Sequence, residues 1–344
     1  MARVSRVRLF AALLIALVAG NGAAGASTLS TLRERGELRC GVGEGTTPGL
    51  NERSATTGEF QGFFPDVCRG LSRGLFDDAL PAKLVPVPIR LAIEGLASGE
   101  IDVMVASLTG TLGRDGGTAA RFVGTLIYDG QGFLARRPTG ASPPPADAPL
   151  RVCVSAGVST PGNLADYIKA TGKPWTALTF NTTGGRNEAF ETGRCELLTS
   201  DRTTLYGLRK LMATPDHVLE VLPEVISREP LGPWVRNDDP QWFAIVRWAI
   251  DALILAEAKG VTRATIDQQA GSTDAELRRL LGLDPGIGAP LGLDDRWAYR
   301  LLRETGNYGE LWERNMGAGS PIKAERGLNR LWSDGGLLYP LPFR

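Results

Sequence analysis

Apolar and polar positions in the first half of the chain alternate between the pattern of strands and the pattern of helices. Short apolar runs bounded by turn residues predict strands, and apolar residues that recur with the helical period predict amphipathic helices. The predicted elements are, in order, strand 38–42, helix 66–75, strand 83–87, helix 89–98 and strand 101–106. This alternation is typical of an α/β unit with a largely parallel sheet.

The second half of the chain repeats this order of elements. Its predicted elements are strand 150–154, helix 162–170, strand 176–180, helix 186–192 and strand 195–199. The first strands of the two units, 38–42 and 150–154, are alike in sequence, and each leads into a loop rich in Gly, Thr and Pro. Ligands of open α/β sheets bind beyond the carboxyl ends of the strands. The repeat therefore predicts two lobes that face each other across a cleft.

Two extended segments connect the predicted units. Residues 122–134, broken at Asp129-Gly130, lead out of the first unit, and residues 229–236 lead back. Two crossings predict a hinge made of two strands, and the Pro-rich segment 138–149 predicts a surface connection. The predicted division is signal peptide 1–26, lobe 1 (first part) 27–133, lobe 2 138–228, and a lobe 1 return with a C-terminal helical extension 233–344.

The N-terminal segment has the pattern of a cleavable export signal. Arg3, Arg6 and Arg8 precede an apolar run over 9–20, and residues 24–26 form a small-x-small cleavage site. The run is too short for a membrane span, and the alternative is an ordinary buried helix. The pattern predicts a periplasmic protein that begins near Ser27.

Charge and composition narrow the class of function. The chain has 38 Lys and Arg, 38 Asp and Glu and one histidine, His217. Loss of the three signal-peptide arginines leaves a formal charge of −3, which argues against binding to nucleic acid or to an anionic membrane. With a single histidine, histidine catalysis and zinc sites are disfavoured, and we predict neither a metal nor a cofactor.

The four cysteines predict disulfide bonds, because the protein is predicted to be exported. Cys40 and Cys68 lie in the first unit, and Cys153 and Cys195 lie in the second. Three pairings are possible. The repeat favours one bridge within each lobe, 40–68 and 153–195.

The loop that follows strand 101–106 is a candidate anion site. It contains Ser107 and Thr109, and Arg114 follows five residues after Thr109. A hydroxyl and a guanidinium fork suit a carboxylate, which arginine binds through two parallel hydrogen bonds. The alternative is a Ser/Thr-rich loop with a solvated arginine.

Ser159 and Thr160 lie just before helix 162–170 in the second unit. Hydroxyl and N–H groups at a helix N-terminus attract an anion, although plain N-capping is the alternative. Asp201 follows strand 195–199, where a carboxylate can hold an ammonium group; the alternative is a turn aspartate that caps Thr203 or Thr204. Together these sites complement a zwitterion.

Several longer motifs carry a resemblance to a known family. They are 128–133 (Tyr-Asp-Gly-Gln-Gly-Phe), 163–167, 229–233 (Glu-Pro-Leu-Gly-Pro), 241–248, 297–300, 306–310, 313–315 and 326–329. The chain resembles the periplasmic solute-binding proteins of polar amino-acid ABC importers, in particular the general L-amino-acid-binding branch. The resemblance implies an α/β fold of two lobes joined by a two-strand hinge, a type II-like periplasmic binding protein. It also implies a monomer that delivers an amino acid or similar zwitterion to ABC permease membrane subunits.

The resemblance also implies roles for the candidate residues. Arg114 is expected to anchor the ligand α-carboxylate with help from Thr109 and from Ser159 or Thr160. Asp201 is expected to meet the α-ammonium group, and Ser107 lies where a further polar contact is usual. The sequence departs from the family pattern at Leu50, Phe64, Gly110 and Val158; glycine at 110 replaces a tryptophan, which predicts a changed or enlarged side-chain pocket.

Two other functions are compatible with this architecture. A periplasmic dehydratase-like enzyme could use the acids Glu44, Asp66, Asp129 and Asp201, but the single histidine and the absence of a nucleophile motif argue against it. A binding or sensor module for a different small carboxylated solute is the second alternative.

Overall fold

The computed structural model describes residues 27–76, 82–117, 119–142 and 147–344. The predicted signal peptide 1–26 lies outside the described residues, as does 143–146 within the predicted connection 138–149.

The helices and strands of the described residues alternate as the sequence predicts. The strands are β1 Leu38–Gly43, β2 Glu52–Arg53, β3 Phe60–Gln61, β4 Ala82–Val87, β5 Val103–Met104, β6 Ala120–Phe122, β7 Ile127–Asp129, β8 Gln131–Pro138, β9 Arg151–Ser155, β10 Thr176–Phe180, β11 Leu197–Asp201, β12 His217–Val221, β13 Glu229–Leu231 and β14 Trp234–Arg236. The helices are α1 Thr28–Arg35, α2 Phe63–Leu75, α3 Ala92–Ala97, α4 Leu112–Asp115, α5 Thr160–Thr171, α6 Thr183–Glu191, α7 Arg202–Leu211, α8 Pro240–Ala258, α9 Ala275–Leu280, α10 Trp297–Thr305 and α11 Tyr308–Asn315. Short 3-10 turns lie at Ile89–Leu91, Ile266–Gly271, Ala289–Leu291, Gly327–Asn329 and Trp332–Asp334.

The two five-stranded sheets have the same topology, which explains the sequence repeat. The strand order is β4-β1-β5-β14-β6 in lobe 1 and β10-β9-β11-β8-β12 in lobe 2. In each sheet the first strand of the unit lies between its second and third strands, and these three are parallel. The fourth position is taken by an antiparallel strand, β14 or β8, that arrives from the other lobe. The predicted fold class, two α/β lobes, is confirmed.

Two short strands join the lobes. Strand β7 pairs antiparallel with β13, so that Asp129 lies opposite Glu229. Strand β8 belongs to the second sheet from residue 131 onward. The first crossing therefore lies at 129–131, before the predicted boundary at 133, at the Asp-Gly break that the sequence displays.

Each lobe contains one disulfide bond. Cys40 of β1 is bonded to Cys68 of α2, and Cys153 of β9 is bonded to Cys195 just before β11. This is the pairing that the repeat favours. Each bond closes a loop within one lobe, which reduces the entropy of the unfolded chain without restricting the hinge.

The C-terminal segment is part of the main core of lobe 1. Tyr308 and Trp312 of α11 pack edge-to-face on Phe63 of α2, with ring centroids 5.7 and 6.1 Å from the Phe63 ring. The phenol of Tyr308 donates to the carbonyl of Leu126 at 2.9 Å. Helix α8 begins at Pro240, because the Asp239 carboxylate accepts the N–H of Trp242 at 2.8 Å and caps the helix.

In the described part of the chain, none of the helices combines the length and the apolar character that a membrane crossing requires.

Candidate functional site

A cleft of about 1090 Å³, including the part open to solvent, lies between the lobes at the carboxyl ends of their first and third strands. Its walls include Ser107, Thr109 and Arg114 from lobe 1. Ser159, Thr160 and Asp201 line it from lobe 2. The structure therefore brings all of the predicted candidate residues together, because the strand ends of both lobes point toward the same hinge.

Arg114 folds back onto the strand end from which its loop departs. The hydroxyl of Thr111 accepts the N–H of Arg114 at the start of the short helix α4. This turn lets the Arg114 guanidinium donate to the carbonyl of Thr109 at 3.0 Å. Burial lowers the pKa of Arg114, while the carboxylates of Glu229 and Asp201 oppose that shift. The arginine is half-buried at the cleft wall, in contrast to the solvated arginine of the alternative interpretation.

A buried glutamate connects the two predicted hydroxyl groups beneath the cleft. Glu229, in hinge strand β13, is 2% exposed. Its carboxylate accepts the hydroxyl of Thr109 from lobe 1 and, at 3.2 Å, the hydroxyl of Ser159 from lobe 2. Asn163 and Ser227 each donate to the other carboxylate oxygen at 2.7 Å. Glu229 thus fixes hydroxyls from both lobes at the hinge, whereas its sequence context indicated only a crossing strand.

The hydroxyl of Ser159 does not cap helix α5, which was the alternative interpretation. The Ser159 side chain makes no cap hydrogen bond and donates to Glu229 instead. Thr160, the first residue of α5, is buried, and its carbonyl accepts the amide of Gln131 at 3.1 Å. The N-terminus of the helix therefore faces the cleft without a side-chain cap.

Asp201 is a buried acid at the wall of the cleft. It ends β11 in the position that precedes α7, yet its side chain makes no cap hydrogen bond. The N–H of Thr203 donates at 3.0 Å to Asp129 instead, so the capping interpretation of Asp201 is wrong. Within the described ranges, no residue donates a hydrogen bond to the Asp201 carboxylate.

The surroundings of Asp201 disfavour its ionised form. Burial raises the pKa of Asp201 well above its usual range, and the neighbouring carboxylates of Asp129 and Glu229 raise it further. The cations Arg186 and Arg114 offset part of this shift. A cation brought into the cleft would stabilise the charged carboxylate.

Arg186 is a second cationic residue of the cleft, and the sequence did not point to it. It lies on α6 of lobe 2, is 4% exposed and lines the cleft. Its guanidinium donates to the Asn187 side chain at 2.9 and 3.1 Å and to the Ser155 hydroxyl at 3.1 Å. Burial lowers the pKa of Arg186 to about 10, and the nearby Asp201 carboxylate opposes that shift. A single arginine in a short predicted helix gives no periodic signal of burial.

Three of the four sequence departures line the cleft, but Gly110 does not. Leu50, Phe64 and Val158 are part of its walls. A Cβ atom on Gly110 would lie 2.8 Å from two ring carbons of Phe122 and so would point away from the cleft. The enlarged pocket predicted at Gly110 is therefore wrong, because the Phe122 ring fills that space.

The four acids of the enzyme alternative do not form a cluster. Asp66 lies outside the cleft, in ion pairs with Arg69 at 3.0 Å and Arg314 at 2.9 Å. Asp129 is occupied by hydrogen bonds from Thr203 and Gly130. Of the four, Glu44 and Asp201 line the cleft, and Glu44 is exposed at its rim.

The fold and the cleft together define a class of protein. Two α/β lobes of matching topology, a two-strand hinge and a polar cleft between the lobes are the architecture of a periplasmic-type binding protein. The family model for bacterial extracellular solute-binding proteins, family 3, matches residues 38–259, and the chain belongs to this family. The extracellular location of the family confirms the predicted periplasmic location.

Characterised relatives resemble the chain over nearly its whole length. The general L-amino acid-binding periplasmic protein AapJ of Rhizobium johnstonii is 40% identical over 330 residues, 95% of this chain and 96% of the relative. The glutamate/glutamine/aspartate/asparagine-binding protein BztA of Rhodobacter capsulatus is 40% identical over 334 residues, 96% of this chain and 97% of the relative. A periplasmic binding protein of an ABC transporter from Brucella ovis, solved with glutathione bound, is 38% identical. It has a TM-score of 0.87 and covers 93% of this chain and 100% of its own.

Proposed function

We propose that the protein is the substrate-binding component of an amino-acid ABC importer, which closes on an amino acid or related zwitterion and delivers it to the permease. The observation that carries this proposal is the distribution of charge in one cleft. Arg114 lies on the wall formed by lobe 1, and the unpartnered acid Asp201 lies on the wall formed by lobe 2. The names of AapJ and BztA as amino-acid-binding proteins support the same class of ligand.

Each polar group of the cleft has a role in this proposal. Arg114 binds the ligand α-carboxylate, and the N-terminus of α5 at Thr160 assists it. Thr109 and Ser159 donate their single hydroxyl protons to Glu229, so they assist by holding the two loops that border the carboxylate site in place. Asp201 binds the α-ammonium group, which supplies the cation that its buried carboxylate lacks. Ser107 contributes a further hydroxyl at the wall of the cleft.

The proposed mechanism is closure of the hinge over the ligand. Periplasmic binding proteins are a known example of domain closure around a ligand by a hinge motion. A ligand shifts the equilibrium toward the closed form only if it binds that form more tightly. Because the carboxylate and the ammonium sites belong to different lobes, both are satisfied together only when the lobes meet. No catalytic group is assigned, and the proposed role is binding without turnover.

Gly207 offers a test of closure that leaves the ligand groups intact. A Cβ atom on this residue of α7 would lie 2.6 Å from the carbonyl oxygen of Pro48 in the opposite lobe. We expect Gly207→Ala to oppose the closed form and to weaken ligand binding about tenfold or more, since overpacking costs roughly 1–3 kcal/mol. Gly184→Ala on α6 is the matched control, because a Cβ atom there meets open space. Equal affinities of the two variants in calorimetric titration would contradict this account of closure.

The proposed function is tested by calorimetric titration of the mature protein, after unfolding and refolding to remove carried-over ligand, against the common L-amino acids. We expect at least one of them to bind with a micromolar or lower dissociation constant. Refolded protein that retains its thermal transition and binds none of them would refute amino-acid binding and favour a different carboxylated solute.

A further inference from the structure

Arg186 is the second buried or half-buried cation of the cleft. A ligand with one carboxylate and one ammonium group leaves it without a ligand group to bind. The α-carboxylate and the α-ammonium group of the proposed ligand are accounted for by Arg114 and Asp201. Arg186 lies on a different element, α6 of lobe 2, and reaches the same cleft. Arg186 is therefore available for a ligand group other than those assigned to Arg114 and Asp201.

The hydrogen bonds of Arg186 leave part of its guanidinium unused. A guanidinium has five N–H donors, and three donor–acceptor contacts to Asn187 and Ser155 are present. In the described part of the chain, no carboxylate lies within ion-pair distance of Arg186. Both of its protein partners are neutral, although the side chain is only 4% exposed. Buried charges in proteins are normally paired. The Asp201 carboxylate acts on Arg186 without an ion-pair contact, so the unused N–H groups of Arg186 are suited to receive an anion from a ligand.

The neighbourhood of Arg186 is also suited to an anion. Thr182 and Thr183 begin α6 and line the cleft beside it, with the positive end of the helix dipole at that point. Of the charged side chains in the cleft walls, Arg114, Arg186 and Asp201 are buried or half-buried, so two cations accompany one acid there. The carboxylate of Glu229 beneath the cleft is already engaged by four hydrogen-bond donors. A zwitterion that carries one additional carboxylate presents two anionic groups and one cation, which complements this set.

We propose that Arg186 is a second carboxylate-binding group, so that the ligand is an α-amino acid with a further anionic group at its distal end. This inference rests on the proposed function and specifies its substrate class. Two kinds of molecule have the required chemistry: an acidic amino acid, and a γ-glutamyl peptide with a free C-terminal carboxylate. The chemistry that they share is an α-amino-carboxylate at one end and a carboxylate at the other.

The test compares ligands that differ only in the distal charge. One pair is L-glutamate and L-glutamine; the other is glutathione and its monoethyl ester on the glycine carboxylate. We expect the wild-type protein to prefer the anionic member of at least one pair by tenfold or more. In Arg186→Gln we expect this preference to fall to less than about threefold, while binding of the neutral member weakens less, because it loses only the Arg186 charge that favours the ionised form of Asp201. The pair that shows the preference identifies which of the two kinds of molecule is bound.

Arg194→Gln is the matched control, because Arg194 is an exposed arginine of the same lobe that does not line the cleft. It should keep the wild-type preference. A wild-type protein without preference in either pair would overturn the inference, and so would a preference that persists in Arg186→Gln. Equal loss of both members of a pair in Arg186→Gln would indicate a structural role and overturn it too. In each of these cases binding of other amino acids would leave the proposed function intact, whereas a wild-type protein that binds no α-amino acid would refute the proposed function itself.

Discussion

Replacement of Arg114 by alanine is expected to weaken binding of the cognate amino acid by about 2–5 kcal/mol, a loss of roughly 30-fold to several thousand-fold in affinity. The variant removes a half-buried cation of the cleft wall, the one that we propose binds the ligand carboxylate. Without it, the carboxylate is desolvated at closure and receives no compensating charge. Calorimetric titration of the wild-type and variant proteins measures the difference.

A conservative variant separates the two contributions of Arg114. Arg114→Lys keeps a positive charge but loses the planar fork that binds a carboxylate through two hydrogen bonds, so we expect an intermediate affinity. The thermal transitions of both variants should remain cooperative, because the Arg114 contact to the carbonyl of Thr109 lies at the cleft and outside the cores. An Arg114→Ala protein with unchanged affinity would place the carboxylate site elsewhere.

Replacement of Asp201 by asparagine is expected to stabilise the ligand-free protein and to impair ligand binding. Burial and the nearby carboxylates of Asp129 and Glu229 raise the pKa of Asp201. The folded protein therefore binds this proton more tightly than the unfolded chain does. The contribution of Asp201 to stability is greatest at acid pH and is lost as pH rises through the raised pKa. Asparagine carries no charge. The variant and the wild-type protein should therefore have similar free energies of unfolding at acid pH, and above that pKa the variant should be more stable by about 1–3 kcal/mol.

Denaturant titration at several pH values measures the stability effect. Asp216→Asn is the control, because Asp216 is exposed in the same lobe, and its replacement should leave stability unchanged at every pH. A loss of stability in Asp201→Asn at neutral pH would show that the carboxylate has a stabilising partner in the folded protein.

The same residue makes ligand binding depend on pH. In the proposed site the ligand ammonium group binds the ionised form of Asp201, so affinity should rise with pH through the raised pKa, and binding should release a proton. Calorimetry in buffers of different ionisation enthalpy measures that proton. Asp201→Asn should abolish its release and lower affinity by about 2–5 kcal/mol, because the ammonium group loses its counter-charge. Proton release that is unchanged in the variant would assign the titration to another group.

Together these variants describe a trade-off between stability and binding. A buried acid without a donor reduces the stability of the ligand-free protein, and the ligand relieves that cost by supplying a cation. The buried arginine Arg186 has the opposite charge. In our proposal its burial also costs stability, and a ligand anion offsets that cost. Ligand recognition and hinge closure then have one physical cause, the pairing of charges that each lobe leaves incomplete.

The structure also shows where residue patterns mislead. Asp201 and Asp129 both lie at strand ends, yet the Asp129 carboxylate accepts the N–H of Thr203 at the helix N-terminus and Asp201 does not. Gly110 occupies a position expected at the cleft, but a Cβ atom on this residue would point toward the Phe122 ring. In both cases the outcome depends on a neighbour from a distant part of the chain.

The sequence by itself determined the two α/β lobes, the two crossings and the group of polar residues at the cleft. Hydrophobic periodicity defines elements locally, and the ends of parallel strands meet at one edge of each sheet. Because the two crossings predict that these edges face each other, Thr109 of lobe 1 could be placed near Ser159 and Asp201 of lobe 2 in advance. Only the tertiary structure decided which groups are buried and which are paired. Three of the four donors to Glu229 come from distant parts of the chain. The burial of Asp201 and of Arg186 likewise depends on how the elements pack, and no local pattern encodes it.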